Sequence, residues 1–188
     1  YLAAALTYLL IRQNDAVGLL QFDTGVRSFI PPKAHPTQFR RILESLDDVE
    51  PGGETDLSAV LHEAAERTKR RGLIIVISDL IDNEEAIASG LGHFRHNNHE
   101  VIVFHTMDPA ELEFPFDRLT RFKDMEGAGR VVANPKSLRR RYLSRIGQFT
   151  DQVKRDCMER RISYELCDTS QPYDRFLASY LDKRSRIF

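Results

Sequence analysis

The 188-residue chain is poor in cysteine: Cys157 and Cys167 are its only two. They build no disulfide framework. One falls on an expected helix and one on an expected strand, so a reducing, cytoplasmic setting is the expectation. No run reaches the roughly 18 apolar residues that a spanning helix needs, so no membrane span is expected in this segment. No secretory signal is expected in this segment either. The net charge is −1, so global electrostatics favour no polyanion, and no nucleic-acid partner is expected. The signatures of common enzymes are missing as well. There is no P-loop, no Gly-x-Gly-x-x-Gly and no Gly-x-Ser-x-Gly, which argues against an enzyme.

What is there suits one compact α/β domain, with 41% hydrophobic residues for a core. Leu2, Leu6, Leu9 and Leu10 predict a helix from Tyr1 to Asn14. Ala16 to Phe22 and Val26 to Ile30 read as strands joined by the turn Asp23-Thr24-Gly25, an antiparallel hairpin that Pro31-Pro32 should stop. Pro36 to Leu46 predicts a helix with Phe39, Ile42, Leu43 and Leu46 inward. Leu57, Val60, Leu61 and Ala64 give the face of another, from about Asp56 to Arg71. The unbroken run Leu73 to Ile77 suits a central parallel strand. A helix carrying Ile87, Leu91 and Phe94 ends at Asn97-Asn98, and Val101 to Phe104 is the next strand.

Alternating strands and helices predict a three-layer, doubly wound, mostly parallel sheet with an antiparallel edge hairpin. Residues 108–134 read as a Pro-containing loop and a small hairpin, Arg121 to Met125 with Arg130 to Ala133. Residues 135–188 read as helix, strand and helix of the same domain. The long helix, Pro135 to Arg161, places Leu138, Tyr142, Ile146, Phe149 and Val153 on one face.

Ligands of open α/β sheets bind beyond the carboxyl ends of the strands. Two features are expected there: the loop Gly52-Gly53-Glu54-Thr55-Asp56, and Ser78-Asp79-Leu80-Ile81-Asp82. Both offer hard oxygen donors of the kind that suit Mg²⁺, Mn²⁺ or Ca²⁺. Each also has a plainer use, since Thr55 and Asp79 are good helix caps.

These segments carry a resemblance. The first helix, then Gly-Leu-Leu-Gln-Phe-Asp, Gly-Gly-Glu-Thr-Asp-Leu and Ile-Ile-Val-Ile-Ser-Asp-Leu, resemble the von Willebrand factor A fold. They are similar in particular to the bacterial family called domain of unknown function 58, whose members are often associated with MoxR-type AAA+ ATPases. The resemblance implies a metal ion-dependent adhesion site. Its Thr maps onto Thr55 and its Asp onto Asp79, with Gly53, Glu54, Ser78, Asp82 and Asn83 as a partner-binding rim.

The family's Asp-x-Ser-x-Ser does not occur in the chain. It is expected upstream of Tyr1, on a first strand that the segment lacks. Mg²⁺ or Mn²⁺ is then expected in the full-length protein and not in this segment, and a membrane tether upstream stays open. The function this implies is a protein-interaction module that takes an acidic side chain from its partner, working with a MoxR-type ATPase in assembly or chaperone-like roles. Two alternatives are a metal-dependent phosphoester hydrolase on the same oxygens, and polyanion binding through Arg139, Arg140, Arg141 and Arg145. His93, His96 and His99 recur as zinc ligands would, but read more plainly as residues suited to a helix C-terminus.

Overall fold

The computed structural model describes residues 1–23, 25–49, 57–123 and 130–186. In chain order its elements are α1 (Leu2–Arg12), β1 (Val17–Phe22), β2 (Val26–Lys33), α2 (Pro36–Asp47), α3 (Leu57–Arg67), β3 (Leu73–Ser78), α4 (Glu84–His96), β4 (Glu100–Met107), α5 (Pro109–Glu113), β5 (Thr120–Lys123), β6 (Arg130–Ala133), α6 (Pro135–Glu159), β7 (Ser163–Asp168) and α7 (Tyr173–Ser185). The chain forms two compact units. One comprises Tyr1–Asp56 with Tyr173–Phe188, the other Leu57–Pro172.

In the first unit, β1 and β2 form the expected antiparallel hairpin, a two-stranded sheet of its own. Pro31 and Pro32 do not stop β2, which continues to Lys33. The register shifts between Val17 and Leu19, and proline is tolerated at such an irregularity because the ladder there lacks a regular donor. Gly18 makes this possible. A Cβ there would lie 2.7 Å from the Ile30 carbonyl oxygen and 2.9 Å from the Pro32 nitrogen. The Gln38 side chain on α2 completes the arrangement, donating to the carbonyls of Val17 and Pro31 at 2.8 and 2.9 Å. Gln38 and Ile42 are therefore the buried positions of α2, while Leu43 faces outward against expectation. The ring of Tyr8 on α1 meets Phe39 of α2 at 5.6 Å.

The second unit holds a parallel sheet of order β3-β4-β7. Its middle strand is β4, not the expected Leu73–Ile77 run. Val101, Ile102, Val103, Phe104 and His105 are all buried, as a strand paired on both sides requires. In β3 only Val76 reaches that state.

Helix α3 buries Leu57, Val60, Leu61 and Ala64, and α4 buries Ile87, Leu91 and Phe94, as their periodicity predicts. The two helices approach closely at Gly90, where an added Cβ would lie 2.7 Å from the Leu61 Cβ. The expected loop after β4 contains α5, a short helix closed by a capping box of Asp108 and Glu111. Strands β5 and β6 form the expected small hairpin. Phe114, Phe116, Phe122 and Tyr142 join it to α6, the closest ring pair being Phe114 and Tyr142 at 4.5 Å. Both cysteines are free and buried.

Candidate functional site at the end of strand β3

The expected Ser-Asp loop begins where β3 ends at Ser78. Two residues on, Leu80 adopts a left-handed conformation with φ 56°. A branched side chain in that region costs about 1–2 kcal/mol. Complete burial of the Leu80 side chain offsets this, by about 1.5–3 kcal/mol. The chain thus turns with Leu80 directed into the core and Asp79 exposed. Side-chain oxygens hold the turn: Ser78 Oγ accepts from the Leu80 amide at 3.1 Å, and Asp79 Oδ1 from the Ile81 amide at 3.4 Å.

The carboxylates of this loop have different tasks. Asp82 Oδ2 accepts from the Leu57 amide at 2.9 Å, and Oδ1 from the Asn83 amide at 2.6 Å. Asp82 therefore caps the first residue of α3 from a distant loop, satisfying a donor that helix geometry leaves open. Asn83 caps α4 by accepting from the Ala86 amide at 3.1 Å. Capping is thus done by Asp82 and Asn83, which leaves Asp79 free of it.

Below this loop lies a residue that the sequence reading missed. His105 is the register partner of Ser78 and is completely buried. Its Nδ1 lies 2.7 Å from the Tyr164 hydroxyl, and its Nε2 is buried with no hydrogen-bond partner among the described residues. Burial lowers the imidazole's pKa, while the backbone and charge of Asp79 pull it the other way. The Tyr164 phenol is pushed up, first by burial and then by Cys157 and Asp151. The available signal was a histidine inside the apolar run Val101 to Phe104 and its continuation, where an unpaired polar ring is costly.

Of the expected site residues, Ser78, Asp79, Asp82 and Asn83 lie together on this loop. Gly53, Glu54 and Thr55 lie outside the described residues. The donors at hand, Ser78 and Asp79, are oxygens and suit a hard divalent cation in type. Among the described residues no group of three or more His, Cys, Asp or Glu side chains could hold a metal. His93 and His96 stand in the last turn of α4, as the plainer reading has it, and the three recurring histidines do not come together. His99 is buried, its Nδ1 accepting from the Gly72 amide at 3.2 Å and its Nε2 3.0 Å from the Thr68 carbonyl. His93 Nδ1 instead meets His62 Nδ1 of α3 at 3.1 Å, and His96 is exposed. Arg139, Arg140, Arg141 and Arg145 are exposed on α6. No described helix is long and apolar enough to cross a membrane.

The fold has a counterpart among solved structures. The chain is similar to the conserved hypothetical protein BatB from Bacteroides thetaiotaomicron, with a TM-score of 0.59 and 16% identity over 98% of this chain and 87% of that one. At that identity the likeness concerns the fold. No curated protein matches the chain. The family model described as "Protein of unknown function DUF58" matches residues 1–150, and the chain belongs to that family.

Proposed function

We propose that this chain is a von Willebrand factor A-like protein-interaction module whose working surface is the loop after β3. The observation that carries the reading is the division of labour between two carboxylates. Asp82 is spent on the α3 amide at 2.9 Å, whereas Asp79 is exposed beside Ser78 at the end of a parallel strand. A carboxylate in that position is available to a cation or to a partner's donor groups.

In this reading Asp79 and Ser78 supply oxygen donors, and Thr55 supplies a third through the family resemblance. Mg²⁺ or Mn²⁺, when bound, would accept an acidic side chain from a partner. Glu54, Gly53, Asp82 and Asn83 would border that contact, and a MoxR-type AAA+ ATPase is the proposed associate. The family membership supports the reading, as does an all-oxygen donor set.

The test is partner capture by the full-length protein, with and without EDTA, for the parent and for Asp79→Ala. Metal-dependent binding that disappears in Asp79→Ala is expected. Equal binding in all four conditions would overturn the proposal.

A further inference from the structure

The charge of this chain is unevenly placed. Residues 118–148 contain nine Lys and Arg against two acidic residues, a net +7 in a chain whose total is −1. Its described residues include strands β5 and β6 and the first half of α6. Arg118, Arg121, Lys136, Arg139, Arg140, Arg141 and Arg145 are all exposed, and none forms an ion pair among the described residues. Arg140, Arg141 and Arg145 share one open face of α6 with Ser144 and Gln148.

The placement also runs against the helix dipole. Helix α4 has Glu84 and Glu85 in its first turn and His93, Arg95 and His96 in its last. Helix α6 has no acidic residue in its first turn and no basic residue in its last. Lys136 stands in the first turn, at the positive end of the helix dipole, and the arginines that follow it repel one another unless an anion lies against them.

The apolar side chains distinguish between anions. In the hairpin, Arg121 is paired with Val132, which puts both on one face. Phe122, next in the strand, points the other way, into the ring cluster with Phe114 and Phe116. The outward face thus carries an aliphatic residue beside a cation, with Val132 60% exposed and Leu119, just before the strand, 74% exposed. The aromatic rings here pack on one another around the buried Phe114, whereas the most exposed apolar side chains of this surface, Leu119 and Val132, are aliphatic and offer no ring for stacking on a base. Exposed aliphatics among arginines suit the boundary between lipid headgroups and acyl chains.

We propose that the β5–β6 hairpin and the first half of α6 form a surface that binds anionic lipid bilayers. The arginines of α6 take headgroup phosphates, and Leu119 and Val132 enter the headgroup–acyl boundary. This surface is distinct from the Asp79 loop and does not depend on the function proposed for it.

The test is co-sedimentation of the 188-residue chain with phosphatidylcholine vesicles, with and without phosphatidylglycerol, at low and high salt. Binding only to the anionic vesicles, and its loss in high salt, is expected. Each α6 arginine changed to Gln should weaken binding about fivefold, the equivalent of about 1 kcal/mol per cation near such a surface. Leu119→Ser with Val132→Ser should weaken vesicle binding while leaving the unfolding midpoint in place. No sedimentation with anionic vesicles at low salt overturns the proposal, as does binding that the Arg→Gln changes leave intact. Binding to single-stranded DNA as tight as to vesicles, with no effect of the Leu119 and Val132 changes, assigns the surface to nucleic acid and overturns it too.

Discussion

The Tyr164 hydroxyl of β7 sits 2.7 Å from His105 Nδ1 of β4, on the sheet face where the His105 ring also meets Phe149 of α6, with His105 paired in register to Ser78 before the loop that carries Asp79. The contact satisfies one ring nitrogen and leaves Nε2 buried and unpaired among the described residues. A neutral ring tolerates this better than an imidazolium, and burial is the first cause of its lowered pKa.

A pH dependence follows, with a definite sign. Above the ordinary histidine value of about 6.5, the ring is neutral in both folded and unfolded chains and contributes no slope. Below it, the unfolded chain binds a proton that the folded chain resists, so stability falls with pH, by at most about 1.4 kcal/mol per pH unit. Urea midpoints of the parent and of His105→Leu/Tyr164→Phe, compared from pH 8 to pH 5, should diverge below pH 6.5, the parent falling more steeply. Parallel curves would refute the assignment.

Asp79 and Asp82 are three residues apart and should respond unequally to alanine. Asp82→Ala removes the acceptor for the Leu57 amide and should cost about 1 kcal/mol, within the usual range for a helix cap. Asp79 is exposed, and its Oδ1 accepts only long bonds, from the Ile81 amide at 3.4 Å and the Ser78 hydroxyl at 3.5 Å. Asp79→Ala should stay within about 0.5 kcal/mol of the parent in urea unfolding. A large loss in Asp79→Ala would make that residue structural.

Cys157 packs in α6 with 1% of its surface exposed. Burial pushes its thiol up to about 12, with Asp156 adding to the shift and Arg160 opposing it. Cys167 is raised by burial and by Asp168. Neither forms much thiolate at pH 8, so iodoacetamide should leave the folded chain unmodified and alkylate both residues in urea. Rapid labelling of the native chain at Cys157 would contradict the packing.

The order of elements was legible from Leu2 to Lys183 because each segment carries its own period. Leu57, Val60, Leu61 and Ala64 can bury together only on a helix. Leu73 to Ile77 has no polar face to turn to water, and Asp23 and Gly25 mark a turn between two strands. Local chemistry likewise marked Ser78 and Asp79 as a strand-end loop. Other features depend on partners far along the chain, and no local period records those. That β4 is the middle strand follows from pairing on both sides, with β3 and with β7. That β2 survives Pro31-Pro32 follows from a register shift against Val17 and from two bonds given by Gln38. The small helix at Pro109 was concealed by a proline read as a loop signal, although proline also suits a first helical turn.

The site divides in the same way. Sequence alone determined that oxygen-bearing side chains follow β3, and that the charge between residues 118 and 148 is strongly positive, because both depend only on residue type and order. Only the tertiary structure decided which carboxylate is spent and which is exposed. Asp82 meets an amide 25 positions earlier, Tyr164 meets His105 across 59 positions, and Leu80 turns inward while Asp79 stays in water. The physical reason is that a helix end must find an acceptor and a buried ring a partner, wherever the fold brings one within about 3 Å.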